Sequence, residues 1–156
     1  MIQTILIILL LIILVVMIFM MRNRTINTYF SKASFQDTEK VLVDTIAEKG
    51  WKLLSMHDIQ SRLVNAGFDF KRIAVYEICR PDYAAMVLEK DVNKKFSSLM
   101  PCRISVYELA DGTTGLAMIN AGLLSQFIGG VVLHVMSKAA RESEEIIHLT
   151  IKKAEQ

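Results

Sequence analysis

The chain has 156 residues, with 18 basic and 16 acidic side chains and a net charge of +2. A balance this near neutral, with no cluster of Lys and Arg, excludes a nucleic-acid footprint. No charge falls in residues 1–21, so all 34 charged groups belong to the remaining 135 or so residues, the size of one domain with a real core.

Residues 1–21 include an unbroken apolar run from Ile5 to Met21, followed by Arg22 and Arg24. A helix of that length spans roughly 30 Å, about the hydrocarbon thickness of a bilayer. No basic residue precedes the run and no small-residue cleavage site follows it, which favours an uncleaved anchor over a signal peptide. Arg22, Arg24 and Lys32 lie just after the span, so the positive-inside rule places the following domain in the cytoplasm. The expectation is a single-pass cell-membrane protein. Its parts are an anchor over 1–21, a juxtamembrane connector over 22–33 and a domain over 34–156.

Ile26–Phe30 reads as a possible first strand. Ser34 and Asp37 resemble a capping box, and Phe35, Thr38, Val41, Leu42, Thr45 and Ile46 then recur at helical spacing up to Gly50. Trp51–Met56 reads as a strand. Asp58 is placed to cap a short helix, Ile59–Ala66, that stops at Gly67. Arg72–Cys79 is the clearest strand, and Pro81 opens a helix to about Lys90. A polar loop, Asp91–Ser98, precedes a hairpin of Arg103–Leu109 and Thr113–Asn120 around Asp111-Gly112. Leu123–Phe127 suggests a short helix. The last helix carries Val132, Val135, Met136, Ala139, Ser143, Ile146, Ile147 and Ile151 inward, leaving Lys138, Arg141, Glu145 and Lys152 to water. The fold class is α+β: a compact two-layer domain whose mixed sheet, a βαβ unit plus a hairpin, is packed by helices and preceded by one transmembrane helix.

A parallel βαβ unit from Trp51 to Cys79 would put the C-terminal ends of both strands at one sheet edge. His57 and Cys79 would then meet there, with Met100 and Cys102 beside them if Arg103–Leu109 runs antiparallel. Open sheets with parallel strands bind ligands at such edges. Thiolate, thioether and imidazole suit a soft transition metal or haem iron. Cys79 precedes a helix and adjoins Arg80, both of which favour thiolate. Against this stand two alternatives: buried core thiols, since Cys is among the most buried residues, and a plain disulfide. Asp58 is read as a cap, His148 as solvated, His134 as core edge, and Glu77 and Glu108 as cross-strand or solvated groups. No serine-nucleophile, metalloprotease or P-loop motif is present. No catalytic residue is assigned.

Ile78-Cys79-Arg80-Pro81-Asp82-Tyr83-Ala84, then Leu99-Met100-Pro101-Cys102 and a strand ending in Tyr107-Glu108 before Asp111-Gly112, resemble the domain of unknown function 302 family. That family shows Cys-Asn-Pro, then Leu-Pro-Cys, then Tyr-Glu and a Gly turn. The resemblance extends to Gly50-Trp51, His57-Asp58-Ile59-Gln60, Asn120 and the final helix. It implies a compact α+β domain, with soluble members that dimerise, and brings no established reaction. Arg80 stands where the family often has Asn, which removes any role that amide would play. The function expected is a non-enzymatic binding or accessory module, serving a larger and possibly redox membrane assembly or acting as a homodimer. The alternative is a thiol-based metal, haem or redox carrier using Cys79 and Cys102.

Overall fold

The structure, a computed structural model, describes residues 2–22 and 25–156, without the side chains at 2, 4, 5 and 17–22. Helix α1 (Ile2–Arg22) comes first. Its described side chains are Gln3 and Leu6–Val16, the latter eleven consecutive exposed apolar residues. Eleven residues make about 17 Å of helix, roughly half a bilayer core. Among the described residues, therefore, no helix is long and apolar enough to cross a membrane. Met1 and Arg24, and the side chains of Met17–Met21 at the end of the expected anchor and of Arg22, lie outside what is described.

Five strands follow: β1 (Ile26–Ser31), β2 (Lys52–Asp58), β3 (Ile73–Cys79), β4 (Cys102–Glu108) and β5 (Thr114–Ile119). They form one sheet in the order β1-β5-β4-β3-β2, with every neighbouring pair antiparallel. The segment expected as a connector thus supplies an edge strand. The expected mixed sheet and parallel βαβ unit are corrected. Lys52 pairs with Cys79 and Asp58 with Ala74, so β2 and β3 run in opposite directions. The reason lies in α3 (Ile59–Asn65), which buries none of its residues. A parallel crossover needs a helix with an apolar stripe laid on the sheet. A seven-residue helix without one turns the chain at the sheet's end.

The other helices are α2 (Phe35–Glu48), α4 (Pro81–Leu88), α5 (Ala121–Ser125) and α6 (Gly130–Ala154), with a 3₁₀ helix over Asp91–Leu99 in place of the expected loop. Ser34 Oγ accepts from the Asp37 N–H as the capping-box pattern predicts, and Asp58 Oδ1 accepts from the Ser61 N–H. Gly50, at φ 73°, ends α2 in the left-handed region that only glycine enters cheaply. Leu42 and Ile46 of α2 and Ile146 and Ile147 of α6 pack on Tyr76, Ile78, Ile104, Val106 and Leu116, all essentially inaccessible. On the last helix Val132, Val135, Ala139, Ser143, Ile146 and Ile147 are buried as the periodicity predicts. His134 is exposed, one position off that stripe, where a core-edge place was expected.

Thr38 and Thr45, on the buried face of α2, are fully buried, and neither Oγ1 has a hydrogen-bond partner among the described residues. A buried hydroxyl without a partner forfeits its hydration. Thr45→Val, which keeps the branched shape, is expected to raise unfolding free energy by about 1 kcal/mol. Urea denaturation of variant and wild type measures it; an equal loss would mean that the hydroxyl is satisfied.

Candidate functional site

The antiparallel sheet brings the start of β2, the end of β3, the start of β4 and the end of β5 to one end. There α4, α5 and α6 do not close fully on the sheet, and a cavity of about 190 Å³ opens. Its walls are largely apolar: Ile78, Ile104 and Met118 from the sheet, Ala84 from α4, Leu124 from α5, and Val135, Met136 and Ala139 from α6. Leu99 and Ile119, about half exposed, stand among the lining residues and mark the side open to solvent.

Three of the four candidate ligands reach this cavity. Cys79 is the last residue of β3 and Cys102 the first of β4, where it pairs with Ile78, so the two cysteines are diagonal neighbours on adjacent strands. Met100 precedes Cys102 across a cis Met100–Pro101 peptide. Cys79, Met100 and Cys102 all line the cavity. His57 does not. The antiparallel register carries it to the far end of β2, opposite Val75, where its Nε2 lies 3.4 Å from Glu77 Oε1. Glu77 also takes Arg103 at 2.9 Å, the cross-strand role read from sequence. Among the described residues, no group of three or more His, Cys, Asp and Glu is arranged to hold a metal.

Both cysteines are free thiols. Burial pushes the Cys102 thiol up to about 11, and the neighbouring Cys79 adds to the shift. Cys79 is also raised, by burial and then by the carboxylate of Asp82. The thiolate bias expected from Arg80 is therefore reversed. The reason is where the guanidinium goes: Arg80 turns to Asp82 at 2.8 Å and to Glu142 at 3.0 Å.

Glu142, from α6, lies behind one wall and joins three of its lining residues. Its carboxylate accepts from Tyr83 OH at 2.6 Å, Arg80 Nη1 at 3.0 Å and Trp51 Nε1 at 3.2 Å. Arg80 also lies over the Tyr83 ring, 4.3 Å from its centroid, and Trp51 meets that ring edge-on. Burial opposes the charge on Glu142, but the three donors and the guanidinium outweigh it and hold its carboxyl below the usual range. Sequence reasoning missed Glu142, Tyr83 and Trp51 as one unit. The signal that could find it is Glu142 standing one residue from inward-facing Ser143.

The last polar group is Ser143 itself. It is fully buried, it lines the cavity, and its Oγ has no hydrogen-bond partner among the described residues. It slightly eases the Cys102 thiol's shift without the geometry of a hydrogen bond.

Because the folded pKa of Glu142 is depressed, its contribution to stability is full above its ordinary 4.5 and is lost as pH falls toward the folded value. Glu142→Gln should cost about 1–3 kcal/mol at pH 7. That difference should shrink steadily below pH 4.5. Thermal melts of both proteins between pH 3 and 7 test this, and a difference independent of pH would contradict it.

The family described as Domain of unknown function DUF302 matches residues 27–153 of this chain. A crystal structure titled "uncharacterized conserved protein DUF302 from Bacillus stearothermophilus" is similar in fold. Its TM-score is 0.70 at 20% identity, covering 83% of this chain and 98% of that one. No curated protein matches the chain. The chain belongs to the DUF302 family, with an α+β fold built on a five-stranded antiparallel sheet.

Proposed function

We propose that this member of the DUF302 family is a non-enzymatic binding module, tethered to a membrane by α1, that holds a small and mainly apolar ligand in the cavity at the Cys79–Cys102 end of its sheet. The observation that carries the reading is the cavity. Its volume is about 190 Å³ and its walls are largely apolar. An apolar cavity of about 150 Å³ is already enough to take benzene. The polar groups around it do not form an acid–base pair. Both thiols are held protonated, and Arg80 and Glu142 are spent on each other and on Asp82, Tyr83 and Trp51.

The tether rests on the whole composition of α1, in which Ile5–Met21 is apolar without interruption. On this reading Arg22, Arg24 and Lys32 keep the domain on the cytoplasmic face, placed to serve a larger membrane assembly. Ile12→Arg should then shift the chain from the carbonate-resistant membrane fraction to the soluble one, since a central charge costs about 2.5–3.5 kcal/mol. Equal fractionation of both proteins would count against the tether.

Filling the void tests the binding reading. Wild type should bind methylcyclohexane, seen as a change in emission of Trp51, which lines the cavity and is the chain's one tryptophan. Ala139→Leu or Ala84→Leu, entering from opposite walls, should weaken that binding at least tenfold while leaving the fold intact by circular dichroism. Unchanged binding in both would place the probe elsewhere. A second reading is favoured by the convergence of Cys79, Met100 and Cys102: a soft monovalent metal such as copper(I) on three sulfurs. It would have to displace two thiol protons held at raised pKa, so its affinity would climb with pH and vanish in Cys102→Ser.

A further inference from the structure

The ligand's chemistry can be taken a step beyond its being apolar, and this step rests on the binding reading above. Ser143, in the middle of α6, stands among the residues around the cavity with no accessible surface, and its Oγ has no hydrogen-bond partner among the described residues. A serine in a helix ordinarily satisfies itself on the carbonyl four residues back. Thr150 of the same helix does so, bonding Ile146 O at 2.8 Å. Ser143 does not, and the polar group beside its hydroxyl is the Cys102 thiol, a weak partner at best.

Charge is the second constraint. Arg80, next to Cys79 in sequence, is engaged by two carboxylates and a ring face. Arg103, the other cation at the lining, is taken by Glu77. A charged group entering would be buried without a counter-ion, at a cost several times what a neutral hydrogen bond returns. A hydrocarbon would leave Ser143 as it is. An oxygen on an otherwise apolar body satisfies both conditions.

We infer that the cavity is a site for an uncharged compound of about seven to ten non-hydrogen atoms, an apolar ring or short chain carrying one hydroxyl or carbonyl oxygen, with that oxygen directed inward to Ser143 Oγ. The Ser143 hydroxyl donates to a carbonyl, or donates to and accepts from a hydroxyl. The thiol of Cys102 stands by as a weak second donor. The apolar remainder points toward Leu99 and Ile119.

Cyclohexanol and methylcyclohexane are near-isosteric probes that differ in this one group. The full chain, reconstituted in phosphatidylcholine vesicles, is titrated with each while Trp51 emission is followed. Partition into lipid is the same for wild type and variants and cancels in the comparison. Ser143→Ala should weaken cyclohexanol roughly 3- to 10-fold, the worth of one neutral hydrogen bond, and leave methylcyclohexane within twofold. It should also melt no lower than wild type without a probe, since the hydroxyl removed has no partner. Ser143→Cys, similar in volume but a weak donor, should again favour methylcyclohexane. Cyclohexanol affinity untouched by either substitution, or both probes falling together, would overturn the assignment to Ser143 while leaving the binding module standing. Neither probe binding to wild type would overturn both readings at once.

Discussion

One carboxylate ties the functional end of this domain together. Glu142 takes a hydrogen bond from Trp51 at the start of β2, from Tyr83 on α4 and from Arg80 at the turn between β3 and α4. Two separate pieces of chain, the residue before β2 and the first turn of α4, are thereby held against the middle of α6. A charge-assisted bond is about twice as strong as a neutral one, and the partial burial that disfavours the charge also strengthens each contact. The residues it ties together, Trp51, Arg80 and Tyr83, form one wall of the cavity.

The same wall decides what the thiols can do. Arg80 adjoins Cys79 in sequence and would be expected to lower its pKa. Asp82 and Glu142 compete for the guanidinium and win, because both reach it within hydrogen-bond distance. What Cys79 then senses is the Asp82 carboxylate and its own burial, and both raise its pKa. Cys102, deeper and beside Cys79, is raised further. The site therefore sets protonated thiols in a largely apolar chamber.

Much of the fold is legible from local signals. Ser34 and Asp58 announce their helices through side-chain oxygens that cap the next turn, and Gly50 announces the end of α2, because these are properties of a few adjacent residues. The stripe from Val132 to Ile147 is legible because helix periodicity and burial agree. Strand direction is not local. Helical spacing over Ile59–Ala66 suggests a crossover, and only the burial of its residues shows that this helix lays no buried face on the sheet. That one error carried His57 to the wrong end of the sheet. Cys79, Met100 and Cys102 still converge, because their meeting depends only on the antiparallel β3–β4 pair, which was expected. Glu142 escaped notice because its partners lie 59, 62 and 91 residues away in sequence.

Chain connectivity adds a consequence to the proposed tether. Ile26, the first residue of β1, pairs with Ile119, the last of β5, and Ile119 lines the cavity. Three residues lie between Arg22 and Ile26, so four residue steps, at most about 14 Å of extended chain, join them. With α1 in a bilayer, the sheet end that leaves it first is the end holding the cavity, and the exposed apolar side chains of Ile26, Leu99 and Ile119 are at that same pole. An apolar compound carrying one oxygen concentrates at the membrane–water boundary, where its ring or chain is dry and its oxygen wet. Under the proposed tether, a cavity at that pole meets such a compound at its local concentration near the boundary, which relaxes the affinity that binding from water would demand.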